Sequence, residues 1–355
     1  MTVPSFRSVY LAAATILFSL FVQMPSHALP SKEMVQDVQV TVLSDMAISR
    51  WTHGEWGFSA LVEATLKDGS KKTILFDTGG EPQTVLYNVE KINAKRPAGD
   101  KIDLCSIREV ILSHNHQDHT MGLVAIRQHC LKKDPQSKAL SVAYVGGPET
   151  FWPRPLKDGG DDNVMVQEKP KYEALGGLFV EHVRPKTLAP GIWLTGGHVP
   201  RPFAEKNWSP SDPMQTPDGK LVDDIIPESQ ALVINTVKGL VVITGCGHAG
   251  LINILDYATR TSGTGKVHTV IGGFHLFRQE KGSAEGQLDW TAKMLLSFGV
   301  EHFLGAHCTG FDRVHYLREK MNMDSHHAVI SSIQTVFSLS KGIEPPKPGI
   351  NHGVQ

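Results

Sequence analysis

The chain has 355 residues, of which 41% are hydrophobic and 20% are charged, so it can bury a sizeable core in one large domain or two ordinary ones. Lys and Arg together number 35 and Asp and Glu together number 36, and the sequence contains no long basic run. This balance gives no electrostatic argument for nucleic-acid binding, and an enzyme with a small-molecule substrate is favoured.

The N-terminus has the pattern of a cleavable export signal. Arg7 precedes an apolar run at 10–22, and Ser26 and Ala28 place small residues at positions −3 and −1 of a cleavage site. A membrane anchor is the alternative, but the run is shorter than the ~20 apolar residues that a spanning helix needs. We therefore expect residues 1–28 to be removed and the mature protein to be periplasmic or secreted, with no stable membrane anchor.

Short apolar, β-branched runs recur along the rest of the chain and predict strands. These runs lie at 38–43, 58–66, 73–76, 109–113, 140–146, 177–183, 231–237, 240–245, 268–273 and 302–307. Helical patterns follow several of them, at 120–130, 249–260, 286–298 and 312–322. The order predicts a mixed α and β domain over residues 29–340, with two sheets and helices outside them.

Three other segments are predicted to lack regular structure. Residues 153–175 and 199–228 are rich in loop-forming residues, and long insertions of this kind in compact domains are often lids or binding loops. Residues 341–355 are rich in Pro and Gly and are expected to form a flexible C-terminal tail.

The chain has four cysteines, which is few for a disulfide scaffold. An oxidising compartment permits a disulfide, for which Cys105 and Cys130 are candidates. Cys246 and Cys308 lie beside candidate metal ligands, which disfavours a disulfide between those two.

The segment ILSHNHQDHTMGL, residues 111–123, carries the densest metal-binding chemistry in the chain. His114, His116, Asp118 and His119 form an H-x-H-x-D-H motif between a predicted strand and a predicted helix. Imidazole and carboxylate are ligands that Zn²⁺ and similar ions prefer. Four ligands so close in sequence suit two adjacent ions, with His114 and His116 on one and Asp118 and His119 on the other.

Three distant histidines follow predicted strands and are flanked by glycines, which let the backbone approach a metal site closely. His248 and His307 are therefore predicted to be metal ligands. His275 is a tentative ligand, with a supporting hydrogen-bond role or a substrate contact as the alternatives.

The order of ILFDTGG (74–80), SHNHQDHTMG (113–122) and the glycine-flanked histidines resembles the metallo-β-lactamase fold superfamily. The later segments GCGHAGLINIL, GGFHL and AHCTG resemble one branch, the methanopterin dihydropteroate synthase-like metal-dependent hydrolases. The resemblance implies an α+β fold, a four-layer αββα sandwich with a dinuclear metal site at one edge of the two sheets. It assigns His114, His116 and His248 to one ion and Asp118, His119 and His307 to the other. It also implies that Asp77 braces the metal loop through hydrogen bonds.

The sequence departs from the superfamily at one point. Many members have a bridging Asp at the end of a late strand, whereas the strand ends at 244–247 and 271–275 contain none. Either His275 takes that place, or water bridges the ions, or the second ion site is weak. Cys246 is a further candidate ligand, because thiolate binds Zn²⁺ well, with a small buried residue as the alternative role.

Other polar residues are candidates for substrate contact or for supporting hydrogen bonds. His198 and Arg201 lie in one predicted loop, where Arg201 could bind an anionic substrate. Asp223, Asp224 and Glu228 are candidate acceptors for the ligating histidines, with a solvated turn as the alternative.

The predicted site supports a metal-dependent hydrolase, with Zn²⁺ as the default cofactor, in two copies, and Mn²⁺ or Fe²⁺ as alternatives. A metal-activated hydroxide would attack an ester, lactone, amide or phosphoester, with Asp118 taking or orienting a proton. The alternatives are a dihydropteroate synthase-like enzyme that forms a C–N bond on pterin substrates and a non-catalytic metal or ligand sensor. The sequence leaves the substrate and the oligomeric state open.

Overall fold

The computed structural model of the protein describes residues 32–205, 213–276 and 284–346. The predicted export signal at 1–28 and residues 347–355 of the predicted tail lie outside these ranges. Within them the strands are β1 (Asp37–Ser44), β2 (Ser59–Thr65), β3 (Lys71–Phe76), β4 (Glu109–Ile111), β5 (Val142–Val145), β6 (Leu178–Glu181), β7 (Lys186–Ala189), β8 (Ile192–Leu194), β9 (Pro213–Gln215), β10 (Leu221–Asp223), β11 (Ala231–Thr236), β12 (Gly239–Thr244), β13 (Val267–Gly272), β14 (His302–Gly305), β15 (Ala328–Ile330), β16 (Val336–Ser338) and β17 (Gly342–Glu344).

The helices in the described ranges include the four that the sequence predicts. They are α1 (Thr84–Asn93), α2 (Gln117–Thr120), α3 (Gly122–Lys133), α4 (Met165–Ala174), α5 (Leu251–Ser262), α6 (Ala284–Ser297) and α7 (Phe311–Lys320). The predicted helices at 120–130, 249–260, 286–298 and 312–322 correspond to α3, α5, α6 and α7. The short helix α2 contains Asp118 and His119, the last two residues of the metal motif.

Two mixed sheets form the middle of the described fold. The eight-stranded sheet has the order β17-β16-β1-β2-β3-β4-β5-β6, and the seven-stranded sheet has the order β15-β14-β13-β12-β11-β8-β7. Strands β3 to β6 run parallel to one another, as do β12 to β15. A tight turn at 237–238 joins β11 to β12 as an antiparallel hairpin.

Hydrophobic packing arranges these elements in four layers. Val40 and Phe76 of the first sheet share one buried cluster with Leu232 and Val241 of the second sheet, so the two sheets pack face to face. A second cluster joins the first sheet to α1, α3 and α4, and a third joins the second sheet to α5, α6 and α7. The predicted αββα sandwich is confirmed.

The segments predicted to be loops contain regular structure. Helix α4 lies inside 153–175, where buried Met165 and Tyr172 anchor it to the first sheet despite Pro170 in its interior. The hairpin of β9 and β10 lies inside 199–228. Strand β17 begins the predicted tail, and it joins the sheet because Ile343 is buried between the sheets and β17 pairs with β16. These predictions were wrong for those residues, since a few buried side chains outweigh the polar composition around them.

Two cysteines form a disulfide and two remain as buried free thiols. Cys105 and Cys130 are bonded, with a Cα–Cα distance of 5.3 Å, and they tie the segment before β4 to α3. Cys246 and Cys308 are the free thiols. None of the helices in the described parts of the chain has the length and apolarity needed to cross a bilayer.

The carboxyl ends of several parallel strands meet at one edge of the sandwich. Strands β3 and β4 of the first sheet end just before Asp77 and the metal motif. Strands β12, β13 and β14 of the second sheet end just before Cys246, His275 and His307. The fold therefore brings together polar side chains from five strand ends that are far apart in sequence.

Candidate metal centre

The metal motif occupies a tight turn between β4 and α3. His114 follows the strand, His116 precedes the first residue of α2, and Asp118 and His119 lie within that one-turn helix. His114 and His119 are buried, whereas His116 and Asp118 are partly exposed. The turn therefore presents two imidazoles inside the protein and two donors towards solvent.

Asp77 holds the motif in place from the end of β3. Its Oδ1 accepts a hydrogen bond from the backbone N–H of Ser113 (2.7 Å), and its Oδ2 accepts from Ser113 Oγ (2.7 Å) and His119 Nδ1 (2.7 Å). His114 Nδ1 in turn lies 2.9 Å from Ser113 Oγ. Both rings therefore direct Nε2, the nitrogen that would bind a metal ion, towards the centre of the site. This geometry agrees with the bracing role that the resemblance implies for Asp77.

Gly245, directly after β12, allows the second sheet to approach this brace. A Cβ atom at that position would lie 1.9 Å from Ser113 Oγ and 2.8 Å from Asp77 Oδ2. Any side chain there would displace the hydrogen bonds that orient the motif. Gly245, three residues before His248, thus has a packing role at the junction of the two sheets.

The first group of donors consists of His114, His116 and His248. Their candidate ligand atoms all lie within 4.8 Å of one another, and the Nε2 atoms of His114 and His248 are 3.2 Å apart. Burial lowers the pKa of all three imidazoles, most strongly for His114 and His248. Neutral imidazole is the form that binds a metal ion.

The second group consists of Asp118, His119, His307 and Cys246. Asp118 Oδ2 lies 3.4 Å from His119 Nε2 and 3.3 Å from His307 Nε2. Cys246 Sγ lies 3.2 Å from His119 Nε2 and 3.5 Å from His307 Nε2. A carboxylate, two imidazoles and a thiol therefore surround one point.

These separations fit a metal ion. Nitrogen, oxygen and sulfur ligands at 2.0 to 2.3 Å from a tetrahedral Zn²⁺ ion are separated from each other by about 3.3 to 3.6 Å. The four distances in the second group, 3.2 to 3.5 Å, match this spacing. The donor types are also those that a borderline divalent ion takes.

Ionisation in the second group is strongly coupled. Burial opposes charge on Asp118, but His119 and His307 outweigh it and hold the pKa of the carboxyl well below its usual range. Burial also opposes charge on His119, but Asp118 and Asp77 raise the pKa of the imidazole well above its usual value. Binding of a cation between these groups would therefore displace protons from the imidazoles.

Cys246 and His275 lie where the two groups meet. Cys246 belongs to the second group and also lies with His248 and His275 in a further set of potential ligands. The His275 ring centroid is 4.7 Å from that of His248, and its backbone has a φ of 51°. The structure thus brings both candidates to replace the missing bridging Asp to the site, and Cys246 is the closer of the two to the second donor group.

A buried ionic network lies behind His116. Arg154 donates from Nε to Asp224 Oδ2 (2.8 Å) and from its terminal nitrogen Nη2 to Glu228 Oε1 (3.0 Å). Asp224 and Arg154 both act electrostatically on the pKa of His116. Asp223 is exposed at the end of β10. Of the three predicted acceptors, Asp224 and Glu228 are therefore buried, while Asp223 is exposed at the end of a strand.

His198 and Arg201 lie outside the groups of potential metal ligands found among the described residues. His198 Nε2 is 2.9 Å from Glu149 Oε1, and Arg201 donates to the backbone oxygen of Ile225 (2.7 Å). Both side chains are exposed. Their predicted roles in substrate contact stay predictions.

Sequence reasoning missed three residues of the site region. Asp45 accepts a hydrogen bond from the backbone N–H of His307 (3.0 Å), and the ring centroid of half-exposed Trp56 lies 5.4 Å from that of His307. Arg154 is the third. Asp45 could have been found, because it lies two residues after the predicted strand at 38–43, whereas Trp56 and Arg154 lie in segments with no repeating pattern.

Comparison with known proteins identifies the family. Residues 57–251 match the Metallo-beta-lactamase superfamily, and the chain belongs to it. The resemblance noted from the motifs is thereby confirmed, and membership implies binding of divalent metal.

The relatives include a protein of the branch that the later motifs indicate. The chain is 32% identical, over 76% of its length and 85% of the relative, to the 7,8-dihydropterin-6-methyl-4-(beta-D-ribofuranosyl)-aminobenzene-5'-phosphate synthase of Methanocaldococcus jannaschii. An uncharacterized protein of the same organism is 26% identical, over 81% of this chain and 97% of the relative. Among solved structures, Tm1679, described as a metal-dependent hydrolase of the beta-lactamase superfamily, has a TM-score of 0.61 at 24% identity, covering 85% of this chain and 98% of that one.

Proposed function

We propose that the protein is a metal-dependent hydrolase that acts on an ester, lactone, amide or phosphoester of a small molecule. The observation that carries this proposal is the pair of adjacent donor groups, one with three histidines and one with Asp118, His119, His307 and Cys246. Two such groups side by side suit two divalent ions, for which Zn²⁺ is the default and Mn²⁺ or Fe²⁺ are alternatives.

Bound ions would supply Lewis acidity and lower the pKa of water towards ~7. The residues around these ions would have separate roles. Asp118 is ionised and partly exposed, so it can orient or accept a proton at the open side of the site. Asp77 fixes the ring of His119, and Asp224 with Arg154 lies behind His116. The hydrogen bonds of Asp77 to Ser113 and His119 keep the donors of the motif in one geometry.

Substitution of His116 by Ala tests the proposal. The variant should lose hydrolysis of the best ester, lactone, amide or phosphoester found in a substrate screen, and it should hold less metal by elemental analysis. The exposed His315, replaced by Ala, is the matched control and should change neither quantity. An unchanged hydrolysis rate in the His116 variant would contradict the proposal.

A second candidate is formation of a C–N bond on a pterin substrate. The similarity to the Methanocaldococcus jannaschii synthase favours it. Incubation of the metal-loaded protein with a pterin diphosphate and an aminobenzene riboside phosphate, followed by mass spectrometry, distinguishes the two reactions. A coupled product would support the synthase, and hydrolysis without coupling would support the hydrolase. Metal binding with neither reaction would indicate a sensor.

We also propose that the protein is exported. The apolar run at 10–22 and the small residues before position 29 support this proposal, and so does the disulfide, because disulfides persist in oxidising compartments. Export would also separate the protein from cytoplasmic pterin intermediates, which favours the hydrolase. N-terminal sequencing of the protein from a bacterial periplasmic fraction should give a start at Leu29. An intact N-terminus in the cytoplasmic fraction would contradict export.

A further inference from the structure

A second cluster of histidines lies at the opposite end of the strands that carry the metal centre. His268 is the second residue of β13, and His302 is the first residue of β14. His268 precedes the end of β13 by roughly 13 Å of strand, at ~3.3 Å per residue. This cluster is therefore separate from the donor groups at the carboxyl ends of the same strands.

The side chains in this cluster converge. Potential ligand atoms of His268, Glu301 and His302 all lie within 4.8 Å of one another, and His268 Nε2 is 3.5 Å from Glu301 Oε2. The ring centroids of His268 and His302 are 5.0 Å apart. Two ligands of one tetrahedral Zn²⁺ ion are separated by about 3.3 Å, so small side-chain rotations would complete the geometry.

Supporting hydrogen bonds already orient part of the set. His268 is buried, and its Nδ1 lies 2.7 Å from Thr269 Oγ1, which leaves Nε2 facing Glu301. The Nδ1 atom of His302 is buried and makes no hydrogen bond to any residue that the structure describes. A metal ion would satisfy such a nitrogen, since buried polar atoms without partners are costly.

A charged histidine–glutamate pair does not account for the cluster. Burial lowers the pKa of His268, and burial together with His268 and His327 lowers the pKa of His302 to about 4. Both imidazoles are therefore neutral at pH 7, as metal binding requires. Lys266 pairs with the other oxygen of Glu301 (2.6 Å), so Oε2 keeps its orientation towards His268.

We propose that His268, Glu301 and His302 form a separate site for a divalent transition ion such as Zn²⁺. His327, whose ring stacks on His302 with centroids 5.0 Å apart, is the candidate for a fourth ligand. Its Nδ1 contacts Asp324 Oδ1 at 2.7 Å, an arrangement common for ligating histidines. The backbone of β17 covers the ring, because a Cβ at Gly342 would lie 2.8 Å from His302 Cε1. The ion would thus connect β13, β14 and the residue before β15, with β17 packed against the His302 ring.

Zinc stoichiometry of tag-free protein tests this site. Chelator-stripped wild type, Glu301→Gln and His302→Asn are re-equilibrated with zinc, and bound zinc per chain is counted by elemental analysis. Both variants should hold one ion fewer than wild type, with zinc at the main centre unchanged. His315→Ala, which removes an exposed histidine elsewhere, should match wild type.

A variant of the main centre distinguishes zinc bound at this site from zinc bound at the main centre. In a His114→Ala, His119→Ala double variant, one zinc ion should remain bound, and adding Glu301→Gln should remove it. Glu301 is half exposed, so Glu301→Gln should fold even if His302→Asn fails to fold. The same zinc count with and without Glu301→Gln in both backgrounds would overturn the proposal.

Discussion

Asp77 sets the orientation of the metal motif through its carboxylate. Its two oxygens accept three hydrogen bonds, two from Ser113 and one from His119, and neither His119 nor Asp77 has solvent-exposed side-chain surface. An ionised acceptor can serve all three donors at once. A neutral amide cannot, because its nitrogen would face another donor.

Asp77→Asn should therefore weaken zinc binding at the main centre by roughly 10- to 100-fold, the usual cost of losing a hydrogen bond that supports a ligand. Competition with a zinc-binding dye would measure the change. Asp68→Asn, in an exposed turn, is the matched control and should leave affinity unaltered. A dissociation constant for Asp77→Asn equal to that of wild type would exclude the bracing role.

The role of Cys246 rests on the distances from its thiol to two imidazoles. Its thiol lies at ligand spacing from His119 and His307, whereas the neighbouring thiol of Cys308 belongs to no group of potential ligands among the described residues. Cobalt-loaded wild type should show thiolate-to-metal charge-transfer absorption, and Cys246→Ser should lose it.

The matched variant Cys308→Ser should keep that absorption, since the sulfur of Cys308 is not expected to bind the metal ion. Metal content of Cys246→Ser and His275→Ala then shows which side chain replaces the missing Asp. Loss of an ion only in His275→Ala, with the cobalt spectrum of Cys246→Ser unaltered, would assign the position to His275 instead.

At the scale of elements, the parallel strand ends explain how much of the site could be predicted. The H-x-H-x-D-H motif is local, so its four residues were recognisable without the fold. His248 and His307 were recognisable because each follows an apolar run and lies among glycines. Arg154 was not, because its partners Asp224 and Glu228 are 70 or more residues away and only the folded chain brings them together.

The same reasoning explains the elements that were missed. Helix α4 and strand β17 are held by few buried hydrophobic side chains, Met165 and Tyr172 in α4 and Ile343 in β17. Short segments of this kind have too few apolar positions to show a period. Tertiary packing, which the sequence pattern does not display, decides their structure.

The disulfide ties the segment before the metal motif to the helix that follows it. Cys105 and Cys130 are 25 residues apart and enclose β4, the motif and most of α3. Closing a loop of this length should stabilise the protein by about 3 kcal/mol. The Cys105→Ser, Cys130→Ser double variant should lose that amount in urea unfolding, and reductant should lower the stability of wild type but not of the variant. Equal unfolding midpoints for wild type with and without reductant would contradict this expectation.

At the scale of the whole molecule, buried charge joins segments 153–175 and 199–228 to each other. Arg154 comes from one segment, and Asp224 and Glu228 come from the other. Burial of Glu228 costs free energy when the carboxyl is ionised, and only part of that cost is offset by Arg154. Global stability should therefore depend on pH through this residue.

Burial raises the pKa of Glu228 to about 7, against Arg154, which lowers it. The folded state therefore holds a proton that the unfolded state releases near its ordinary pKa of about 4.3. The resulting stability is fully present below that value and is lost as pH rises to about 7. Urea unfolding of wild type should show this decline, and Glu228→Gln should make it shallower, since Asp224 still pairs with Arg154. Glu205, whose pKa burial also raises to about 7, should account for part of the remaining decline. Exposed Glu90→Gln should behave as wild type, and the same decline in Glu228→Gln would assign it to another group.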